Sequence, residues 1–225
     1  MHILLAAATT FEIQPTIDAR GNRPGFGPHQ LEPLITGVGG IATTWSLMRQ
    51  IGCNRPDLII QAGIAGSLRD RLSGEVLVIG EDTPADTGVW EDHRFNTIFD
   101  MRLADGDSAP YTNGRLVNPY RRLMTITGLE AVAALTVNEI TTSADRIRWY
   151  QQNSPAVVES MEGAPLHYVC LREHVPFLQL RSVSNKVGVR DKTQWDIRGA
   201  IAALNGQLIA LLENPALQKE ILSEP

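Results

Sequence analysis

Residues 57–66 have the sequence DLIIQAGIAG, which indicates the class of fold. The first six residues, Asp57–Ala62, form a nearly continuous apolar run, which is typical of a strand buried on both faces of a parallel sheet. The glycines and small residues of Gly63–Gly66 then predict a turn where this strand ends. Binding sites in α/β sheets gather at the carboxyl ends of the strands, so this turn is a first candidate for a functional site.

Similar apolar runs flank this stretch on both sides and alternate with helical patterns. The predicted strands are His2–Ala8, Leu34–Val38, Glu75–Gly80, Leu129–Val137, Val157–Val158 and Phe177–Val183. The predicted helices are one that starts after Gly40 and carries Ile41, Trp45, Met48 and Ile51 on one face, then Ala144–Gln152, Gly163–Glu173 and about Trp195–Leu212. The remaining long stretches predict a loop over 13–32 and a polar excursion from the sheet over 81–115 with an apolar patch at Phe95–Met101. The alternation predicts an α/β fold in a single domain, 1–225, with a central mixed, mainly parallel sheet flanked by helices.

Composition excludes several function classes. The chain has 225 residues, 43% of them hydrophobic and 20% charged, with a net charge of −5, and a mildly acidic chain is not expected to bind nucleic acid or anionic membranes. The N-terminal segment lacks the basic region of a secretory signal peptide. No apolar run approaches the roughly 18–20 residues of a membrane span. Cys53 and Cys170 lie in apolar helical contexts, which predicts buried free thiols and a cytoplasmic protein. His167 and His174 lack zinc-ligand spacing, so no metal site is expected.

Some familiar motifs are incomplete. The segment Gly37–Ala42 resembles part of a dinucleotide-binding fingerprint, but the final glycine is missing and no acidic residue ends the next strand. The glycines are more typical of close packing between a strand and a helix. No lysine follows a glycine run as in a phosphate-binding loop, and no Gly-x-Ser-x-Gly motif of a serine hydrolase is present.

Polar residues recur where buried strands end. Glu12 closely follows the first strand, and Gly63–Gly66 follows the third. A later strand ends at Glu159–Glu162 (Glu-Ser-Met-Glu), and the last one leads into Arg181–Asn185 (Arg-Ser-Val-Ser-Asn). We expect these residues to converge on one cleft at the carboxyl edge of the sheet.

The same segments resemble the successive motifs of the nucleoside phosphorylase and nucleosidase superfamily, from residue 2 to about residue 190. The matching segments are AAATTFE, TGVGGIAT, AGIAGSL, VESMEGA and RSVSNKVG. Within the superfamily, the chain most resembles the futalosine hydrolases of an alternative menaquinone pathway. The residues behind that narrower resemblance are Asp86-Thr-Gly88, the Phe95–Met101 patch, and Ser184–Asp191 running on to Trp195-Asp196.

The resemblance implies cleavage of an N-ribosidic bond without a metal or an organic cofactor. It assigns Glu12 as the carboxylate that activates water, although a carboxylate there would also suit the start of a helix. Glu162 would accept hydrogen bonds from the ribose hydroxyls, or else cap the following helix, and Met161 would pack on the sugar. Arg181 would orient the water site, and an ion pair with Glu12 is a further expectation. Ile64, Ala65 and Gly66 would border the water and the substrate.

Asn185 is where the chain departs from the adenine-specific nucleosidases of this superfamily, which carry an aspartate. An asparagine cannot supply an acidic proton, but its amide can donate a hydrogen bond to N7 or to a 6-oxo group. The resemblance therefore implies release of hypoxanthine from a small-molecule nucleoside, unless Asn185 only stabilises a turn.

Two questions remain open at the level of sequence. Phosphorylases of this superfamily carry a glycine turn and arginines near the first strand; the segment AAATTFE has neither, which favours water over phosphate, although Arg20 and Arg23 lie nearby. Arg190 and Lys192 are candidates to bind the carboxylate that futalosine carries beyond the ribose, or they are solvated surface charges. The alternatives are a methylthioadenosine/S-adenosylhomocysteine nucleosidase, an inosine phosphorylase, or a nucleoside-binding or storage protein. Related enzymes are commonly dimers or larger, so a homo-oligomer is also expected.

Overall fold

The computed structural model describes residues 1–223 and contains a mixed β-sheet flanked by helices. The strands are β1 His2–Ala7, β2 Gln30–Ile35, β3 Leu58–Ser67, β4 Val76–Pro84, β5 Gly88–Glu91, β6 Arg94–Thr97, β7 Leu116–Val117, β8 Ala131–Thr136, β9 Val158–Ser160 and β10 Phe177–Lys186. The helices are α1 Thr10–Arg20, α2 Gly40–Cys53, α3 Arg121–Ile126, α4 Ala144–Asn153, α5 Gly163–Glu173, α6 Ile197–Leu212 and α7 Ala216–Ser223. A short 3-10 turn, Lys192–Gln194, precedes α6.

The main sheet closes on itself. Its strands follow the order β10-β4-β8-β9-β3-β1-β2, β7 pairs with β4, and β10 also pairs with β3. The five strands β10, β4, β8, β9 and β3 therefore form a closed barrel, from which β1 and β2 extend as a parallel wing. The predicted α/β fold with a mixed sheet is confirmed. The antiparallel pairings β10–β4 and β3–β9 belong to the closed barrel, and β7 adds a further antiparallel pairing to β4; the expected mainly parallel sheet did not include these features.

The turn predicted at Gly63–Gly66 is instead the second half of β3, so that prediction is wrong. The backbone of this segment pairs with β10 on one side, where Arg181 lies opposite Gly63 and Asn185 opposite Gly66. On its other side, Gly66 lies opposite Glu159 of β9. Strand pairing on both sides satisfies the backbone groups, so small residues that would suit a turn remain extended.

Two further predictions near the N-terminus are corrected. The first part of the loop expected over 13–32 is helical, because α1 continues to Arg20 although Pro15 lies inside it. The second strand is Gln30–Ile35 rather than Leu34–Val38, because its parallel register with β1 starts at the pair His2 and Gln30.

Helix α2 is present where it was predicted, but most of its apolar face points to solvent. Ile41 is 89% exposed, Trp45 61% and Met48 44%, whereas Leu47 and Ile51 are buried. The core therefore takes a different stripe of this helix from the one that the sequence pattern favours.

The remaining predictions concern the two cysteines, the excursion over 81–115 and membrane spans. Cys170 is buried as predicted, but Cys53 is exposed, and both thiols are unpaired. The excursion contains the β5–β6 hairpin, whose Trp90 and Phe95 pack against Trp149 of α4. No helix within residues 1–223 is both long and apolar enough to cross a membrane.

A buried polar cluster lies where α5 meets the barrel, and it consists of Asp82, Thr136, His167 and Gln179. Thr136 Oγ1 donates to Asp82 Oδ1 at 2.8 Å, and Gln179 Nε2 donates to Asp82 Oδ2 at 3.2 Å. Thr136 Oγ1 also accepts the backbone N–H of Ala164 at 2.7 Å. The cluster therefore fixes the first turn of α5.

Burial moves the pKa values of two members of the cluster in opposite directions. Desolvation raises the pKa of Asp82 to about 6, although hydrogen bonds from Thr136 and Gln179 and the charge of Arg181 oppose the shift. Desolvation lowers the pKa of His167 to about 4. Near pH 5 the folded protein therefore holds a protonated carboxyl and a neutral imidazole, while the unfolded chain favours the reverse.

We predict that Asp82 and His167 make opposite contributions to the pH dependence of the folding stability, so that each masks the contribution of the other. Folded Asp82 binds its proton more tightly than the unfolded chain, so its contribution to stability falls as pH rises from 3.8 to about 6. For His167 the unfolded chain binds the proton more tightly, so its contribution rises from pH 4 to 6.5. Each change amounts to about 3 kcal/mol.

Urea denaturation of Asp82→Asn and His167→Gln between pH 4 and 7 measures both contributions. Relative to the unmodified protein, Asp82→Asn should gain about 3 kcal/mol of stability as pH rises, and His167→Gln should lose about as much. Stability curves that stay parallel to that of the unmodified protein would contradict this assignment.

Candidate active site

A cavity of about 400 Å³ opens at the carboxyl ends of β1, β3, β9 and β10. This volume is within the range of small-molecule sites. Most of the residues predicted from the sequence line it, namely Glu12, Ile64, Ala65, Gly66, Met161, Glu162, Asn185 and Arg190. The expected convergence of strand ends on one cleft is therefore present, whereas Arg181 and Lys192 do not line the cavity.

Glu12 occupies the third position of α1 and is 7% exposed. Its Oε2 accepts hydrogen bonds from Thr9 N at 3.0 Å and Thr9 Oγ1 at 3.1 Å, and its Oε1 accepts from Ile64 N at 3.2 Å. The carboxylate thus stabilises the start of the helix and also borders the cavity. The helix-start role that the sequence left open for Glu12 is therefore present, and activation of water stays a prediction.

A side chain from α6 holds this part of α1 in place. In a regular helix the carbonyl of Glu12 would accept from Thr16 N; here Asn205 stands between them. Its Nδ2 donates to Glu12 O at 2.8 Å, and its Oδ1 accepts from Thr16 N at 3.0 Å and Thr16 Oγ1 at 2.6 Å. The inserted amide accommodates the disturbance that Pro15 causes and ties the backbone of Glu12 to the core.

Glu162 lies at the start of α5 and is 6% exposed. Its side chain makes no capping hydrogen bond to α5; instead, its Oε1 accepts the backbone N–H of Gly39 at 3.0 Å. Gly39 has φ +89°, a conformation that glycine adopts without steric cost. The glycine segment that partly resembled a dinucleotide fingerprint therefore positions a carboxylate of the cavity.

Arg181 is 2% exposed and lies beneath the cavity. Its Nη2 donates to Gln61 Oε1 at 2.8 Å, and its Nη1 forms an ion pair with Glu162 Oε2 at 3.6 Å. The expected ion pair with Glu12 is not among those that the described residues form. The arginine therefore supports Glu162 directly and approaches the cavity from behind.

Asn185 is half-buried on β10, and its amide orientation is fixed on two sides. Ser184 Oγ donates to Asn185 Oδ1 at 2.8 Å, and Asn185 Nδ2 donates to Lys186 O at 3.0 Å. Because a backbone carbonyl only accepts, the amide nitrogen must face Lys186. Among the described residues, none accepts the second hydrogen of that nitrogen.

The segment after β10 covers part of the cavity. Trp195 Nε1 donates to Val189 O at 2.9 Å, and the Arg190 guanidinium lies over the Trp195 ring, 5.4 Å from its centroid. Arg190 and Trp195 both line the cavity, whereas Lys192 is exposed in the 3-10 turn. Of the two predicted basic residues, the structure brings only Arg190 to the site.

Apolar residues of the cavity wall were missed as site residues from the sequence. They include Phe11, Val38, Ile140, Val187 and Trp195. Their neighbours in sequence offered a signal, because Phe11 precedes Glu12 and Val38 precedes Gly39. Apolar residues beside a polar motif usually lie in the core, whereas Phe11 is 60% exposed and Val38 is 59% exposed.

Because Gly63 has no side chain, the Arg181 guanidinium and the Glu12 carboxylate can both lie close to its backbone. A β-carbon at Gly63 would overlap with Arg181 Nη1 and lie 2.9 Å from Glu12 Oε1. Because Arg181 is enclosed, Gly63→Ala should cost about 1–3 kcal/mol of stability and displace both groups. The cleavage of a purine nucleoside that the sequence resemblance implies should fall by at least about 10-fold.

Gly52→Ala is the matched control, since no atom lies within 4 Å of its β-carbon position in α2. That variant should keep its activity and gain up to about 1 kcal/mol. Thermal unfolding and initial rates of base release measure both effects. A Gly63→Ala protein as active as Gly52→Ala would show that the close approach is unimportant.

Comparison with known proteins assigns the family. The sequence profile of the Phosphorylase superfamily matches residues 24–213. The futalosine hydrolase of Streptomyces coelicolor is 31% identical over 95% of this chain and 97% of that protein. The futalosine hydrolase of Acidothermus cellulolyticus is 32% identical over 79% of this chain and 73% of that protein.

Solved structures agree on the fold. The 5'-methylthioadenosine/S-adenosylhomocysteine nucleosidase of Helicobacter pylori superposes with a TM-score of 0.79 at 17% identity, over 95% of this chain and 98% of that one. The futalosine hydrolase of Helicobacter pylori superposes with a TM-score of 0.70 at 18% identity, over 100% and 98%. With the sequence profile covering most of the chain, this protein belongs to the phosphorylase superfamily.

Proposed function

We propose that this protein is an N-glycosidase that hydrolyses futalosine to dehypoxanthine futalosine and hypoxanthine, a reaction of menaquinone biosynthesis. The observation that carries the proposal is the similarity to the Streptomyces futalosine hydrolase over 95% of the chain. The cavity supports it, because two carboxylates and an asparagine amide converge there. We further propose that the whole chain acts as one domain, in the cytoplasm, where its two unpaired thiols would stay reduced.

The cavity carries the groups that such a cleavage requires. Breaking the N-ribosidic bond develops positive charge on the ribose, as in other glycoside cleavage. Glu12 is assigned as the general base that accepts a proton from water, and its carboxylate borders the cavity beside the Ile64 backbone. Glu162 is assigned to the ribose hydroxyls, with Met161 against the sugar. Arg181 is a positioning residue, because it contacts Glu162 but does not line the cavity.

Asn185 supports a 6-oxopurine as the leaving base. Its amide nitrogen has one hydrogen free for N7 or for O6, and both of these atoms accept. A 6-amino group would instead bring a donor toward this donor. A polar mismatch costs about 1–3 kcal/mol, so this side chain disfavours adenine when it donates to O6, whereas N7 accepts in both bases.

Water is favoured over phosphate as the nucleophile. Arg20 Nη1 donates to Leu31 O at 2.9 Å, and Arg23 Nη2 donates to Ala19 O at 2.9 Å. These two arginines, which sequence left as possible phosphate ligands, are therefore engaged with backbone carbonyls outside the cavity. Arg190 is the arginine that lines the cavity, and we assign it to the substrate's carboxylate, where a cation is useful.

The alternatives each conflict with one feature. A methylthioadenosine/S-adenosylhomocysteine nucleosidase would need an acidic group at Asn185. An inosine phosphorylase would need basic groups for phosphate near β1. A binding or storage protein would have no use for Glu12 as a base, although Glu12 also stabilises α1.

One assay separates these functions. The protein is incubated with futalosine, inosine and methylthioadenosine, with and without phosphate, and released bases are followed by chromatography. We expect hypoxanthine from futalosine at equal rates with and without phosphate. Glu12→Gln should lower kcat by at least about 100-fold, because an amide cannot accept the proton of water.

Glu91→Gln is the control, since Glu91 is an exposed carboxylate on β5 outside the cavity. It should match the unmodified enzyme. Faster release of adenine from methylthioadenosine, a requirement for phosphate, or no release at all would each reject futalosine hydrolysis.

We also propose that the protein is a homo-oligomer that uses the exposed face of α2. Ile41, Trp45 and Met48 form an apolar strip on this helix, and Val38 and Phe11 continue it to the cavity mouth. Such contiguous apolar surface typically marks an interface. A second copy fits this strip best, because apolar residues at a cavity mouth are then shielded in every subunit.

Sedimentation velocity tests the self-association. The unmodified protein should sediment as a dimer or larger, and Trp45→Glu should shift it toward monomer, since a carboxylate would be buried without a partner. Leu72→Glu serves as the control, because Leu72 is 80% exposed and lies on the β3–β4 connection. A monomeric unmodified protein, or equal effects of both variants, would refute this interface.

A further inference from the structure

Three residues lie in a row across three adjoining strands at the floor of the cavity. Asn185 of β10 is opposite Gly66 of β3, and Gly66 is in turn opposite Glu159 of β9. All three line the cavity. With about 4.8 Å between neighbouring strands, Asn185 and Glu159 begin roughly 9.5 Å apart on either side of the glycine.

Gly66 keeps the middle of this row flat. A β-carbon there would lie 2.9 Å from Val187 Cγ2 and 3.6 Å from Asn185 Nδ2. Gly66 thus leaves room for the Val187 methyl group, and the row has an apolar middle with one polar side chain on each side, which suits a planar base that forms hydrogen bonds at two of its edges.

Glu159 has an unused hydrogen-bond acceptor. The residue is 7% exposed; its Oε1 accepts from Thr141 N at 3.1 Å, but its Oε2 is buried without a hydrogen-bond partner in the described part of the chain. Glu159 also forms no ion pair with the described residues, since the nearby Arg146 pairs with Glu139 at 3.5 Å. A buried carboxylate oxygen without a partner is costly, so a ligand that donates a hydrogen bond would be stabilised there.

Burial also raises the pKa of Glu159, with the charge of Asp86 adding to the shift, while hydrogen bonding from Thr141 and the charge of Arg146 oppose it. A donor that approached Oε2 would favour the ionised form and lower this pKa. The charge of Glu159 is therefore incompletely compensated in the protein alone.

We propose that Glu159 determines base specificity by accepting the N1–H hydrogen of a 6-oxopurine. A carboxylate only accepts hydrogen bonds. Hypoxanthine presents N1–H as a donor, whereas N1 of adenine is an acceptor that would face the carboxylate lone pairs. Glu159 and Asn185 would then recognise neighbouring positions of one base: Glu159 accepts from N1–H, and Asn185 donates to N7 or to O6. This inference deepens the proposed function and rests on a purine occupying the cavity.

The test compares Glu159→Gln with the unmodified enzyme on futalosine and on its 6-amino counterpart. The glutamine oxygen can still accept from Thr141 N, so the structural contact is retained. Its amide nitrogen would face N1 as a donor, which opposes N1–H and suits the adenine acceptor. We expect kcat/KM for futalosine to fall about 10- to 100-fold, while kcat/KM for the 6-amino substrate stays the same or rises.

Glu162→Gln is the matched control, because it removes a carboxylate from the same segment at the ribose end. It should lower kcat/KM for both substrates by similar factors and leave their ratio unchanged. A merely structural role for Glu159 would give this same pattern in Glu159→Gln, together with a lower melting temperature. A constant ratio in Glu159→Gln, or an equal change of ratio in Glu162→Gln, would overturn the inference.

Calorimetric measurement of the binding of free hypoxanthine and free adenine distinguishes a failure of this inference from a failure of the proposed function. If the enzyme releases no hypoxanthine from futalosine, the proposed function fails. The inference still stands if hypoxanthine binds more tightly than adenine and Glu159→Gln removes that preference. Binding of neither base, or a preference that survives Glu159→Gln, rejects it.

Discussion

Arg181 carries its guanidinium into the interior, where the Gln61 side chain accepts one hydrogen bond and the Glu162 carboxylate lies 3.6 Å away. A charge that is 2% exposed needs such partners, because removal from water otherwise costs several kcal/mol. Its presence constrains the strands around it. Gly63 must lack a side chain, β10 must stay in register with β3, and α5 must begin where Glu162 meets the guanidinium.

The charges around the cavity form an arrangement suited to a cationic transition state. Glu12, Glu159 and Glu162 line the cavity, and of the two arginines near them Arg181 is beneath the floor, while Arg190 is toward the outer segment. Under the proposed assignments, the carboxylates of Glu12 and Glu162 would stabilise the positive charge that develops on the ribose as the base leaves. Because Thr9 and Gly39 fix these two carboxylates, little reorganisation would be required during the proposed reaction.

Much of the fold was accessible from sequence because buried strands leave long apolar runs. The same pattern located the polar strand ends, and Glu12, Glu162 and Asn185 do converge. Long-range contacts decided the rest. Helix α1 tolerates Pro15 because Asn205, about 190 positions later, bridges the interrupted backbone. Gly63–Gly66 remain extended because β9 and β10 pair with them, and no local signal encodes either partner.

Cleavage and base choice depend on different parts of the site. The groups assigned to water and ribose lie on α1 and at the start of α5, and the polar cluster of Asp82, Thr136, His167 and Gln179 fixes the latter. The groups assigned to the base lie on β9 and β10, on either side of Gly66. Since a donor–acceptor mismatch at one atom costs about as much as a 10- to 100-fold change in rate, the base-recognising side chains can change specificity without moving the carboxylates that cleave the bond. A superfamily whose members differ in purine but share this cleft would require such a separation.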